Sequence, residues 1–182
     1  MKTAQPVDEQ ELMARARAND KQALAALYDL YATRIYGYLY RRIGNSQVAE
    51  DLTGDVFVKV LEAIRAQRVW RLSFRGWLYR IAHNVAVDWF RSYHSLTGEP
   101  LEDVEVVADT AEPGTQVAAI WSHQELHRAI RALPQTQQQV LILRFGEGMK
   151  TREVAEILGK SVGAVEALQH RALHALKGQL DE

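Results

Sequence analysis

Between residues 65 and 92 the chain interleaves Arg65, Arg68, Arg71, Arg75, Arg80 and Arg91 with Trp70, Phe74, Trp77, Tyr79, Trp89 and Phe90, and sets His83 and Asn84 among them. Guanidinium groups follow phosphates, while flat rings and amide-bearing pockets receive unstacked bases, so this mixture suits single-stranded nucleic acid. Aromatics at helical spacing also build cores. Trp77, Ile81 and Trp89 are therefore expected to pack, which leaves Arg65, Arg68, Arg71, Arg75, Arg80, Asn84 and Arg91 as the exposed candidates. A second constellation occupies residues 151–175, where Glu166, Ala167, Gln169, His170 and Arg171 fall on the outward side of a short helix. Gln suits an adenine edge, Arg a guanine edge, and Glu can accept from cytosine. A third is two i,i+4 histidine pairs, His123 with His127 and His170 with His174, the spacing of helical zinc sites, although no metal site is expected here. Gln124 stands where the metalloprotease pattern needs Glu. The chain has no cysteine, which excludes disulfides, thiolate nucleophiles and Cys-ligated metals.

The elements that must position these groups are helices. Leu24, Leu27, Tyr28, Tyr31, Ile35, Tyr38 and Leu39 recur at the 3-and-4 spacing of an amphipathic helix that Gly44-Asn45 stops. Ser46 is expected to cap a second, with Val48, Leu52, Val56, Val60 and Ile64 on its apolar face and Phe57 and Leu61 widening it. Phe74 opens a third through Leu78, Ile81, Val85 and Trp89. Periodicity then disappears, and Gly98, Pro100, Pro113 and Gly114 punctuate an acidic stretch of linker composition. It resumes at Val117, Ile120, Trp121 and Leu126 and runs to Leu133. Pro134 suits the first turn of a further helix filled by Val140, Leu141, Leu143 and Phe145.

Val154, Ala155, Ile157 and Leu158 predict one short helix, Gly159 its stop, Ser161 the cap of the next, and Val165, Leu168, Ala172 and Leu176 the buried stripe of that next helix. Two short helices joined by a tight Gly turn form a helix-turn-helix, whose second helix fits the major groove. A hairpin that merely packs is the competing interpretation. The fold class is all-α: two small helical domains, residues 1–94 and 117–182, joined by an acidic flexible linker at 95–116.

The chain has 182 residues and a formal net charge of -1, which conceals a segregation. Six arginines in residues 64–98 face Asp88 alone, whereas residues 99–125 hold seven acids and no Lys or Arg. That is a polyanion-facing band followed by a segment that repels polyanions, or else a solvated helix face. The N-terminus lacks the apolar core of a signal peptide, and the longest apolar run, Ala23 to Tyr28, is far too short for a membrane helix. A cytoplasmic protein without membrane insertion is expected.

Three motifs in order give the chain a resemblance. Ala49-Glu50-Asp51-Leu52-Thr53-x-Asp55-Val56-Phe57 is similar to the helix by which bacterial RNA polymerase sigma factors of the extracytoplasmic-function (ECF) group dock on the clamp of the core enzyme. Phe74-x-x-Trp77-Leu78-Tyr79-Arg80-Ile81-Ala82-x-Asn84 resembles their promoter-melting helix. Leu133-Pro134 to Phe145, Glu147-Gly148-Met149 and the helix-turn-helix with Ser161-Val162-Gly163-Ala164-Val165 resemble their upstream-element reader. The likeness covers residues 24–176.

It implies a non-enzymatic initiation factor, needing no cofactor, whose N-terminal domain captures and opens the downstream promoter element while the C-terminal domain reads the upstream one. Asp51, Leu52, Asp55, Val56 and Phe57 would meet polymerase. Arg65, Arg68, Arg71, Arg75, Arg80, His83, Asn84 and Arg91 would meet the downstream element, with residues 65–73 receiving a flipped base opposite Asn84. Lys150, Thr151, Arg152, Ser161, Gly163, Ala164, Glu166, Ala167, Gln169, His170 and Arg171 would meet the upstream duplex. The partners implied are core RNA polymerase, promoter DNA and an anti-sigma factor. The acidic linker either mimics RNA in the exit channel or serves as a passive tether, and the helix of residues 135–145 offers a face to the polymerase flap. An autonomous helix-turn-helix regulator is the alternative; it would bind duplex DNA as a dimer without polymerase.

Overall fold

The computed structural model describes residues 9–68, 73–97 and 123–180. Backbone contacts group the chain into two compact units, Met1–Trp89 and Phe90–Glu182. All regular structure among the described residues is helical: α1 (Glu9–Arg17), α2 (Lys21–Ile43), α3 (Ser46–Arg65), α4 (Phe74–Thr97), α5 (His123–Arg131), α6 (Gln135–Leu141), a π-turn (Ile142–Gly146), α7 (Thr151–Leu158) and α8 (Val162–Leu180).

In the first unit α1 has no counterpart among the helices expected from periodicity, although Leu12 and Ala16 of α1 are buried. Asn19 turns the chain through a left-handed backbone, and Asp20 then caps α2 by accepting from the N–H groups of Gln22 and Ala23. A hydrogen bond from Arg15 Nε, 2.7 Å away, is the main reason the Asp20 carboxyl sits below its ordinary range. Gly44 closes α2 at φ 73°, a backbone that costs a residue without Cβ nothing. Asn45, not Ser46, caps α3, its side chain accepting from Val48 N at 3.0 Å; Ser46 is already the first helical residue.

The end of α3 is a Schellman turn: Gln67 N–H bonds to Ile64 O and Arg68 N–H to Ala63 O, with Gln67 at φ 57° where glycine is usual. Edge-on aromatic pairs join α2 to α4, Tyr31 with Phe74 and Tyr38 with Tyr79, each 5.4 Å between centroids. Such pairs contribute roughly 0.5–1.5 kcal/mol beyond the burial of their area. Trp77, Ile81 and Trp89 are half-buried at the edge of this core rather than inside it.

In the second unit Ala129, Leu133, Leu141, Ala172 and Leu176 form one apolar cluster. Pro134 lies one position before the first turn of α6, as its N-cap, and its carbonyl accepts from Gln137 and Gln138. The helix expected to continue to Phe145 widens after Leu141, where Glu147 N–H reaches back to Ile142 O. Phe145 is turned outward at 60% exposure instead of filling the core. The helix-turn-helix has the expected joints: Gly159 at φ 63° ends α7, and Ser161 Oγ accepts from Ala164 N at 3.2 Å. Glu153 adds a carboxylate that accepts from Lys150 N at 2.9 Å.

Candidate nucleic-acid interface

The face that α4 turns toward α3 carries Trp77, Ile81, Asn84 and Asp88, a stripe at i, i+4, i+7 and i+11. Together with Lys59, Glu62 and Ala63 of α3 and with Arg68 it encloses a cleft of about 430 Å³. That volume falls in the roughly 300–1,000 Å³ range of small-molecule clefts and has room for a nucleobase. Trp77, Ile81 and Ala63 are half-buried and give it apolar walls; Lys59, Glu62, Arg68, Asn84 and Asp88 are exposed at its rim. Arg68, at this cleft, is the residue that closes the Schellman turn by bonding to Ala63 O. Arg68 and Asn84 are marked by the sequence pattern as exposed candidates, Trp77 only as a residue expected to pack, and Lys59, Glu62 and Asp88 not at all, because nothing in a linear pattern says which face of α3 meets which face of α4.

The remaining candidates for the downstream element separate. Arg65, Arg80 and Arg91 are exposed, Arg75 is half-buried, and Arg71 lies outside the described residues, as does Trp70. His83 departs from its expected role. It is half-buried, with Nδ1 3.2 Å from Arg42 Nη1, which also donates to Tyr38 OH at 3.2 Å. A guanidinium only donates, so Nδ1 is the acceptor and the ring proton resides on Nε2. Burial, and secondarily the Arg42 charge, pushes the His83 pKa down to about 4. His83 is thus a neutral link between α2 and α4, not a cation for phosphate.

On α3, Asp51 and Asp55 are exposed, but Leu52, Val56 and Phe57 are 7%, 0% and 9% exposed. These three hold the unit together, and Phe57 packs edge-on to Tyr28 at 4.7 Å. The surface α3 offers a partner is the polar side, including Asp51 and Asp55 with Val58 at 54% exposure.

In the second unit Lys150, Arg152, Ser161, Gly163, Ala164, Glu166, Ala167, His170 and Arg171 are exposed, and Thr151 is half-exposed at the start of α7. Gln169 is the correction. It is half-buried, and its Oε1 accepts from Arg144 Nε at 3.0 Å, while Arg144 Nη1 donates to the carbonyl of Met149. α8 is fastened to the π-turn through Gln169, because residue 169 lies only about 40° around α8 from the buried Val165. His170 and His174 are both exposed, and no cluster of three metal-binding side chains occurs among the described residues. The side chains of His123 and His127, and the acidic stretch from residue 98 to 122, lie outside the described residues. No described helix is long and apolar enough to cross a membrane.

Two family descriptions match in the order these units take: Sigma-70 region 2 over residues 27–95 and Sigma-70 region 4 over residues 123–176. The ECF RNA polymerase sigma factor BldN of Streptomyces coelicolor is 36% identical over 170 residues, which are 91% of this chain and 63% of that protein. The ECF RNA polymerase sigma factor SigW of Bacillus subtilis is 30% identical over 91% of this chain and 93% of its own length. Among solved structures, CnrH in complex with the cytosolic domain of CnrY superposes with a TM-score of 0.70 at 22% identity, covering 95% of this chain and 97% of that one. The sigma factor RpoE in complex with the anti-sigma factor NepR from Bartonella quintana gives 0.70 at 19% identity, over 86% and 96%. These two share the fold. The units are therefore sigma-70 regions 2 and 4 on one chain. The chain belongs to the ECF group of RNA polymerase sigma factors.

Proposed function

We propose that this chain binds core RNA polymerase through the polar side of α3, reads the upstream promoter element with α8, and opens the downstream element by receiving an extruded non-template base in the cleft between α3 and α4. The observation that carries this is the cleft itself, where Arg68, Trp77 and Asn84 supply a phosphate partner, a stacking plane and a hydrogen-bonding amide within one unit. Trapping an unstacked base offsets the few kcal/mol of unpairing, so thermal opening is biased without covalent chemistry. In the other unit α7 and α8 present the donors of a duplex reader: the exposed N-terminus of α8, Arg171 and Lys150.

CnrH was solved with the cytosolic domain of CnrY, and RpoE with an anti-sigma factor. A sequestering partner is proposed for this chain by extension, and the cytoplasm as the compartment in which it works. Run-off transcription with core polymerase and a promoter pool tests the reading. Start-site-specific transcripts that require this chain support it; a chain that binds duplex promoter tightly as a dimer and directs no transcription supports the autonomous-regulator alternative.

A further inference from the structure

Gly54 stands in the middle of α3, exposed, with nothing within 4 Å of the place a Cβ would take. Its φ is not positive, so the backbone does not call for glycine either. Gly37 and Gly76 in the same unit do have neighbours: the Arg41 guanidinium comes to 3.4 Å of the Cβ position of the first, and the Ser73 side chain to 3.7 Å of that of the second. A glycine in an exposed helix interior weakens the helix relative to alanine, because its backbone has more freedom to lose. Among the described residues nothing in this unit offsets that loss, which points to a constraint from outside the chain.

The residues around Gly54 describe the constraint. Asp51, Gly54, Val58, Leu61 and Arg65 follow one another at steps of 3, 4, 3 and 4, and so share the face of α3 opposite the buried Val56. That alternation is the seam along which a second helix packs, knobs into holes. Val58 is 54% exposed and Leu61 half-buried, so the seam offers apolar surface to a partner. Beside its far end a cavity of about 480 Å³ opens among Leu24, Tyr28, Phe57 and Leu61, with the exposed Lys21 and Arg65 also lining it. Carboxylates thus mark one end of the seam, at Asp51 and Asp55, and cations the other, at Arg65 and Lys21. How closely two helix axes approach is set by the side chains at their crossing, and glycine permits the closest approach.

We propose that a helix of core polymerase crosses α3 at Gly54, with one of its larger apolar side chains seated where Gly54 has none. Its basic end lies over Asp51 and Asp55 and its acidic end over Arg65 and Lys21. This rests on the reading of α3 as the polymerase-binding element. Gly54 then sets how near the partner comes, and the charges at the two ends set which way it runs.

The full chain, carrying a fluorophore at its N-terminus, is titrated with core polymerase, and its stability alone is measured in urea. Gly54→Ala should raise the urea midpoint, since the helix gains and meets no clash, yet weaken polymerase binding about tenfold, the size of a methyl group forced into a packed contact. Gly54→Leu should weaken binding further, and both should leave upstream-duplex affinity unchanged. The chain has no cysteine, so a photoreactive maleimide attached to Val58→Cys is carried at that position alone and should mark a helical segment of polymerase. Gly54 variants that bind as tightly as the unaltered chain overturn the inference. So does a lower urea midpoint for Gly54→Ala, which would mean that glycine serves the chain itself. Asp55→Lys separates this failure from that of the broader reading. Binding weakened by Asp55→Lys but not by the Gly54 variants leaves α3 as the docking element and removes only the crossing point. Binding that all three leave intact removes the polymerase-binding reading of α3 and this inference with it.

Discussion

Gln67 holds the left-handed backbone that ends α3, one residue before Arg68 at the cleft. Any residue with a Cβ is strained there, by about 1 kcal/mol. Gln67→Gly should accordingly raise stability by roughly 0.5–1 kcal/mol, read as a higher midpoint in denaturant with an unchanged slope; a lower midpoint would mean that the Gln67 side chain contributes more than its backbone costs. His83 makes a separate prediction. Its folded-state pKa of about 4 lies below the ordinary value of 6.5, so between those two pH values the unfolded chain binds the extra proton. Stability should fall as pH is lowered through that window, with a slope from this residue of at most about 1.4 kcal/mol per pH unit, and His83→Gln should flatten it. Urea titrations at intervals from pH 7.5 to 4.5 measure both. Neither residue's state was legible in the sequence. Position 67 lacks the glycine that marks such turns, and His83 is one more base-facing group by its spacing alone, since the Arg42 that rests on its ring stands 41 residues away.

At the scale of elements, legibility followed periodicity. The stripes of α2, α3 and α8 could be read in outline, although Tyr28 is 48% exposed and Leu168 only half-buried, and so could the joint of the helix-turn-helix, because Gly159 and Ser161 are residues whose backbone and hydroxyl leave few other roles there. Gly159 has φ 63° and open space where a Cβ would stand, so Gly159→Ala meets no clash. It should cost only the left-handed penalty, about 1–2 kcal/mol in thermal unfolding; a loss beyond that would show a steric contact the geometry lacks. What periodicity hid was the difference between belonging to a motif and facing outward. Leu52, Val56 and Phe57 belong to the segment that resembles a docking helix, yet the 3.6-residue repeat that makes them apolar neighbours also turns them inward. Gln169 is the same case in a polar residue. Arg144→Met should cost roughly 1.5–3 kcal/mol, the range for hydrogen bonds to a charged group, and weaken specific duplex binding. The salt dependence of that binding should stay as it was; a slope reduced by about one would show that Arg144 holds a phosphate instead of the helix.

Over the whole molecule the charge pattern organises what the helices cannot. A basic arginine band, a stretch of seven acids and a mildly basic reader follow one another along the chain. Like-charge repulsion between the acidic stretch and DNA should lower the free protein's affinity for duplex at low salt. Neutralising residues 99–125 to Asn and Gln should raise that affinity several-fold in low salt, and the gain should fade as ionic strength climbs past about 0.15 M, where the screening length is near 8 Å. An affinity that does not respond would make the stretch a tether and nothing more. The charges themselves are counted from the sequence alone, and the role of the acidic stretch is what the titration decides.

The π-turn at Ile142–Gly146 has a bearing on how chains of this kind can vary in length. An i to i+5 turn holds one residue more than the α-helical count requires, and here the surplus is spent swinging Phe145 into solvent. A chain shortened by that one residue would resume ordinary winding between Ile142 and Gly146. Single-residue length differences among such proteins should therefore gather at this loop, and deleting Phe145 should be tolerated far better, by melting temperature, than deleting a residue from the middle of α8.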